Sequence, residues 1–274
     1  MQKRASVGYQ IVLWLVALAF FAPVVYIATS MFKTRDQILE VPPKLIFTPT
    51  LENILNMFSR PVMAGYFIHS LVISTSSVLI AILVSILAAY VFSRYQPRGT
   101  GFLMFLLLSM RMVPGAAVVI PVYLMYVALG WKDSLPGMIL FYAMFSIPFS
   151  VWIIKGFMDS VSTRFDETAL VNGASRLHII FRVVLPQIWP AVVAAFIFNL
   201  VFVWNEFLFN YIVGGKRTAM VPVALAQWFH QGGIDWTFVA TITTLHLIVP
   251  FLVILFFQKY LLVGMTFGTV RGEV

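Results

Sequence analysis

The sequence of 274 residues contains no cysteine, and only 10% of its residues are charged. The missing cysteines exclude disulfide bridges, thiol nucleophiles and cysteine-ligated metals. A soluble domain carries roughly 25% charged residues, because its surface must be hydrated. The small charged fraction therefore argues against a soluble enzyme, a disordered chain and a secreted disulfide scaffold.

Apolar side chains are abundant instead. They make up 61% of the residues, and the mean hydropathy is +0.95. The net charge of +8 would suggest a nucleic-acid partner in a soluble protein. Here it fits lysines and arginines in cytoplasmic loops beside anionic lipid headgroups. We expect an integral protein of the lipid bilayer with no nucleic-acid partner.

Six apolar stretches reach the roughly 20 residues that a helix needs to cross a bilayer. They lie at 9–31, 67–92, 102–129, 135–154, 191–213 and 237–261. Pro114 and Pro121 interrupt the third stretch, since proline removes a backbone donor. The predicted fold is all-α, a polytopic membrane protein with six transmembrane helices that forms a single domain over residues 1–274.

An even number of spans puts both termini on one side of the membrane. With the N-terminus inside, ten of the 18 lysines and arginines lie on the cytoplasmic side, seven lie outside and Arg111 lies within a span. Cytoplasmic loops are enriched in lysine and arginine. The sequence therefore favours an N-in, C-in orientation.

The longest stretch of low hydropathy on the predicted cytoplasmic side is the loop at 159–190. Thr163 and Asp166 have the spacing of a capping box, and Glu167 also falls in the first turn of a predicted helix. Gly173 offers a left-handed stop for that helix. The small residues Ala169 and Ala174 lie near the bend, with Gly173, and would let another backbone approach closely.

A second short helix is predicted after this bend. Ser175 can cap its beginning, and Pro186 is expected to end it. The 159–190 loop therefore reads as a stiff helix–turn–helix rather than a flexible linker. On physical grounds alone, it could equally be an ordered loop packed against its own membrane helices.

The same loop resembles the EAA loop of the membrane subunits of ATP-binding-cassette (ABC) importers. The run ETALVNGASRLHIIFRVVLPQIWP is similar to the pattern EAAxxDGAxxxxxFxxVxLPxxxP of carbohydrate-importer permeases. Thr168 replaces an alanine and Asn172 an aspartate of that pattern. Similar segments elsewhere are LAAYVFSRYQPRG, FVWNEFLFNYIV and VGMTFGTVRGEV, so the resemblance to the maltose/polyol type of second permease covers nearly the full chain.

This resemblance implies a type I importer permease in a bacterial inner membrane. The helix at 164–174 would be the coupling helix that docks into an ATPase subunit, with Glu167 pairing with a basic residue there. Asp166, Ala169, Gly173 and Ala174 belong to the same coupling segment. The implied partners are a second permease subunit, two ATPase subunits and an extracytoplasmic solute-binding protein.

A nucleotide site is not expected on this chain. The nearest run to a phosphate-binding loop, at 214–218, lacks the spacing G-x-x-x-x-G-K-[ST]. ATP and magnesium would therefore bind the partner ATPase. We predict no cofactor, no metal site and no catalytic residues in this chain, which would not itself be an enzyme.

Ionisable groups inside a membrane are costly and call for a function. Arg111 and Glu206 are predicted to face a shared polar cavity near mid-membrane, together with Trp204 and Asn205. An aromatic ring, an amide and a carboxylate suit the faces and hydroxyls of a sugar. Alternatively, Arg111 and Glu206 pair with each other and only hold two spans together.

Two further residues are candidates for the same pathway. Asn199 lies about two helical turns before Glu206 and on the same face, and His69 lies at the start of the second span. The four histidines are too scattered to propose a metal site.

A self-contained proton-coupled transporter is the alternative function, with Arg111 and Glu206 as its pair. No internal repeat is visible, and such carriers usually have duplicated halves. The substrate stays open between a sugar, a polyol and an anionic sugar derivative.

Overall fold

In a computed structural model of the protein, residues 7–228 and 234–266 are described, with side chains as far as residue 261. Over these residues the chain is helical and contains no strand, so the all-α prediction is confirmed. In chain order the described helices are α1 (Val7–Ser30), α2 (Arg35–Leu39), α3 (Glu52–Phe58), α4 (Pro61–Tyr90), α5 (Thr100–Met110), α6 (Gly115–Ala128), α7 (Leu135–Met158), α8 (Arg164–Val171), α9 (Arg176–His178), α10 (Leu185–Trp204), α11 (Leu208–Val213), α12 (Val221–Trp228) and α13 (Trp236–Thr266).

Two π-helical turns extend this set. One, Val91–Tyr95, continues α4, and the other, Ile179–Val184, joins α9 to α10. With these turns included, five described helices are long and apolar enough to cross a membrane: α1, α4, α7, α9 through α10, and α13. Helices α5 and α6 together make a sixth candidate span that is bent by 91°.

The third predicted span is bent between α5 and α6, next to Pro114, one of the two prolines expected to interrupt it. Helix α5 ends at Met110, and Pro114 is the residue before the first turn of α6. Proline disfavours the helical conformation of the residue before it, which favours a helix end at or before Val113. Pro121, the other interruption, stays inside α6.

The fifth span also differs from its predicted range of 191–213. Helix α10 ends at Trp204, and the six-residue α11 begins only at Leu208. Asn205 donates its side-chain amide to the carbonyl of Val201 at 2.7 Å. Polar side chains that hydrogen-bond nearby backbone groups compete with the hydrogen bonds of a helix. Asn205 is such a residue, and it lies where α10 ends.

By its contacts, the described chain divides into two compact units. The first contains residues 1–65 and 224–248. Within it, Lys33 is buried, donates from Nζ to the carbonyl of Lys44 at 2.8 Å and lies 4.7 Å from the ring of Tyr26. This lysine ties the segment after α1 to the end of that helix. A single permease domain over the whole chain stays a prediction.

The second unit contains residues 66–223 and 249–274 and holds the main apolar core, where α7 packs on α10. Small residues line this helix pair, which lets the two backbones come close. The fully buried ones are Ser146, Ser150, Ala191, Ala194 and Ala195. Helices α7 and α10 carry the aromatic rings and the asparagine that surround Arg111.

Candidate functional site: a membrane cavity and the 159–190 loop

Arg111 directly follows α5 at the bend and is half-buried among aromatic rings. Its guanidinium carbon lies 5.0 Å from the ring of Phe145, 5.3 Å from that of Phe149 and 4.7 Å from that of Phe202. Its Nη2 donates to Oδ1 of the buried Asn199 at 3.4 Å. Cations are attracted to the faces of aromatic rings, so these rings and one amide hold the charge.

Asn199 fixes this arrangement from α10. Its side-chain amide donates to the hydroxyl of Ser150 on α7 at 2.9 Å and to the carbonyl of Ala195 at 2.8 Å. Its oxygen is thereby aimed at Arg111. The sequence predicts Asn199 on the same helix face as Glu206, whereas in the structure its side-chain oxygen contacts Arg111.

Glu206 lies in the break between α10 and α11 and accepts bonds from three donors. The backbone N–H of Phe209 donates to Oε1 at 3.0 Å, and that of Asn210 donates to Oε2 at 3.2 Å. The hydroxyl of the buried Tyr142 donates to Oε2 as well. The carboxylate thus satisfies the first free amides of α11, as capping groups do.

Arg111 and Glu206 line one cavity of about 360 Å³. The other lining residues are Val113, Gly115, Phe141, Tyr142, Phe145, Phe202, Leu208 and Phe209. Among the described residues no ion pair joins the two charged groups, so the alternative in which they pair with each other is wrong. A role of this cavity in transport stays a prediction.

Gly115 sets how closely α11 approaches the bend. A Cβ atom on Gly115 would lie 3.2 Å from the ring of Phe209, which is tighter than ordinary van der Waals contact. The glycine therefore lets Phe209, and with it the amides that bond Glu206, pack against the beginning of α6.

The structure does not bring the other predicted pathway residues to this cavity. Trp204 is buried in the core at 2% exposure, and Asn205 is exposed. His69 lies on α4, where its Nδ1 is 3.1 Å from the carbonyl of Ala219. None of the three lines the cavity described above, and their role in a pathway stays a prediction.

The 159–190 loop contains α8, the bend and α9, in the order that the sequence predicts. Gly173 has φ +81°, and its N–H donates to the carbonyl of Leu170 at 2.9 Å. The N–H of Ala174 donates to the carbonyl of Ala169 at 3.0 Å. These two bonds and the left-handed glycine form a Schellman motif, so the bend is rigid.

Two details of the predicted loop are wrong. The side chain of Thr163 makes no capping bond, because Thr163 is itself helical, at φ −63° and ψ −20°. Pro186 does not end the second helix but lies in the first turn of α10. The N–H of Leu185 bonds the carbonyl of Ile180, five residues back, so a wide π-helical turn carries the chain past the proline.

Helix α8 has an inner and an outer face. Asp166 is buried, and Ala169 and Ala174 are half-buried against the core. Glu167 and Gly173 are exposed. Ala169 and Ala174 therefore pack within this chain, while Glu167 and Gly173 lie on its exposed side.

Exposed apolar side chains in the 159–190 loop escaped the sequence reasoning. Phe165 is 52% exposed, Val171 89% and Leu177 61%. The sequence did indicate them, because these apolar residues stand within an otherwise polar segment. The rings around Arg111 were missed too, although Phe145 and Phe149 are four residues apart, as are Phe198 and Phe202, and so share helix faces.

The family described as "Binding-protein-dependent transport system inner membrane component" matches residues 81–266. A Sinorhizobium fredii protein named "Probable ABC transporter permease protein" is 30% identical to this chain. The alignment covers 93% of this chain and 92% of that protein. It is 28% identical to the trehalose/maltose transport system permease protein of Thermococcus litoralis, with 94% of each chain covered.

A solved structure has the same fold. It is a chain of a bacterial ABC transporter involved in the import of the acidic polysaccharide alginate. The TM-score is 0.81 at 18% identity, with 94% of this chain and 99% of that chain covered.

Proposed function

The chain belongs to the family of binding-protein-dependent transport system inner membrane components, and from that premise we propose that it is one of two permease subunits of an ATP-driven importer. It forms half of the translocation pathway. Its partners are a second permease subunit, two ATPase subunits that bind ATP and magnesium, and an extracytoplasmic solute-binding protein. The family is one of transport permeases and not of enzymes.

The proposed substrate is a sugar, a polyol or a sugar derivative. The name of the relative from Thermococcus litoralis, a trehalose/maltose permease, supports this class. The cavity that Arg111 and Glu206 line suits it chemically, because aromatic rings bind the C–H faces of sugars while polar groups fix their hydroxyls. An anionic derivative stays within the proposed class.

The single observation that carries the proposed coupling is the two-sided α8. Its inner face is anchored by Asp166 and Ala169, while Glu167, Phe165 and Val171 stand exposed on the outer side. An exposed apolar group beside a charge is typical of a protein–protein contact. We assign this face to the ATPase subunit.

The proposed location is a bacterial inner membrane, with both termini and the 159–190 loop on the cytoplasmic side. The excess of lysine and arginine on that side supports the orientation. ATP is available only there, so the orientation and the proposed docking face agree.

A proton-coupled carrier lacks a supporting observation. That function would place the transported proton on Glu206 with Arg111 as its counter-charge, and Glu206 instead bonds Tyr142 and the amides of α11.

We expect Val171→Asp to weaken the hold of the ATPase subunit, because it puts an unpaired charge on the exposed apolar side of α8. The loss of affinity should be roughly 5- to 150-fold, corresponding to about 1–3 kcal/mol for a polar group buried without a partner. The measurement is the amount of ATPase that co-isolates with the tagged chain when all proposed subunits are co-expressed.

Ser162→Asp is the matched control, since it adds the same charge at another exposed residue of the loop. It should retain the ATPase subunit. Equal retention by Val171→Asp and the unaltered chain would contradict the proposed docking face.

A further inference from the structure

One charged side chain of α8 points away from the proposed docking face. Asp166 is 5% exposed, whereas the neighbouring Arg164 and Glu167 are exposed. Its partner is Arg94, in the π-helical turn that ends the α4 span, with Nη2 and Oδ2 3.3 Å apart. Both side chains are more than nine-tenths buried, at 8% and 7% exposure.

Arg94 also contacts the end of α7. Its Nη1 donates to the carbonyl of Met158, the last residue of α7, at 3.2 Å, and lies 3.4 Å from the hydroxyl of Ser93. One guanidinium therefore joins the end of the α4 span, the end of α7 and α8.

The same π-helical turn contacts the other side of the loop. The guanidinium of Arg176, at the start of α9, lies 5.6 Å from the ring of Tyr95. Both short helices of the 159–190 loop are thus attached to five residues at the end of one span.

The ion pair is a poor source of stability. Nη2 and Nε of Arg94 and both oxygens of Asp166 are buried without a hydrogen bond. Taking two charges out of water costs free energy that their attraction barely offsets, and well-packed apolar residues often replace such pairs without loss. Unlike an apolar contact, the ion pair is directional. It fixes the register of α8, because only one register brings the carboxylate to the guanidinium.

We propose that Arg94 and Asp166 form a positioning clasp that makes α8 move as one body with the ends of the α4 span and α7, and so transmits force between the ATPase subunit and the membrane cavity. The clasp rests on the function proposed above and adds a residue pair to it. Neither residue faces the ATPase subunit.

The test replaces the pair by apolar residues of similar size, Arg94→Met with Asp166→Leu. Because this double variant leaves no buried charge unpaired, we expect it to assemble with its partners and to keep its melting temperature. In proteoliposomes that hold the complete transporter, we expect the number of substrate molecules moved per ATP hydrolysed to fall at least tenfold. A merely structural role would lower the yield of transporter without changing this ratio.

A second readout follows the position of α8 directly. The chain has no native cysteine, so spin labels can be placed on Cys introduced by Arg98→Cys and Asn172→Cys, both exposed positions. We expect a narrow distance distribution in the otherwise unaltered chain and a clearly broader one in the double variant. Arg94→Lys, which keeps the charge, should restore most of the narrow distribution when Asp166 is present.

The outcomes separate the clasp from the proposed function. Equal distance distributions, an unchanged transport-to-ATP ratio, or failure of the double variant to assemble would each overturn the clasp. An unaltered complex that moves no substrate with ATP would contradict the proposed function instead, and the spin-label distances would still decide whether the pair holds α8.

Discussion

Replacing Gly173 with valine should uncouple ATP hydrolysis from transport while leaving the chain inserted in the membrane. Gly173 has φ +81°, where an L-residue costs about 1–2 kcal/mol and a β-branched residue is a genuine outlier. The Schellman bonds of Gly173 and Ala174 would be lost first, since they depend on this conformation. A change of 1–2 kcal/mol corresponds to a roughly 5- to 30-fold fall in the population of transporter with a docked loop. Transport should fall by the same factor.

Gly173→Asn is the matched control, because asparagine adopts the left-handed conformation far more readily than valine. Space around the glycine is open, so the asparagine side chain meets no clash. Transport and ATPase stimulation by the loaded solute-binding protein should stay near the unaltered level in Gly173→Asn. If Gly173→Val behaved like Gly173→Asn, the rigid bend would have no part in coupling.

Replacing Glu206 with alanine should abolish transport by releasing α11 from the end of α10. The carboxylate accepts bonds from Tyr142 and from the amides of Phe209 and Asn210. Each buried donor left without an acceptor costs about 1–3 kcal/mol. A total loss of about 3 kcal/mol or more corresponds to a roughly hundredfold fall in the population that keeps the native geometry between α10 and α11.

Uptake into proteoliposomes and the melting temperature of the purified complex measure this effect together. Glu206→Gln keeps the size of the side chain and one acceptor oxygen, so its loss should be clearly smaller than that of Glu206→Ala. Normal uptake and an unchanged melting temperature in Glu206→Ala would show that the three bonds do not hold the cavity.

Sequence patterns predicted the spans well where the apolar run is uninterrupted. Helices α1, α4, α7 and α13 were predicted to within six residues at each end, because an apolar run of membrane length has few other stable conformations. The third and fifth spans were less predictable. Whether Pro114 kinks or breaks a helix depends on the packing around it, and the break at Glu206 depends on donors from another helix, such as Tyr142.

The 159–190 loop was predictable in outline, since a left-handed glycine and a serine cap are local signals. The partner of Asp166 could not be predicted from the sequence. Arg94 is distant in sequence, and a single chain does not reveal which arginine a buried carboxylate will meet. The same limit applies to Arg111, whose predicted partner Glu206 is engaged elsewhere while aromatic rings hold the arginine.

Transport by reconstituted proteoliposomes tests the central claim most directly. Vesicles containing this chain, the second permease and the ATPase subunits are supplied with solute-binding protein and labelled sugar outside and with ATP and magnesium inside. The proposed function predicts uptake that requires ATP and every one of these components. Uptake of the sugar by vesicles containing this chain alone, without ATP, would contradict it.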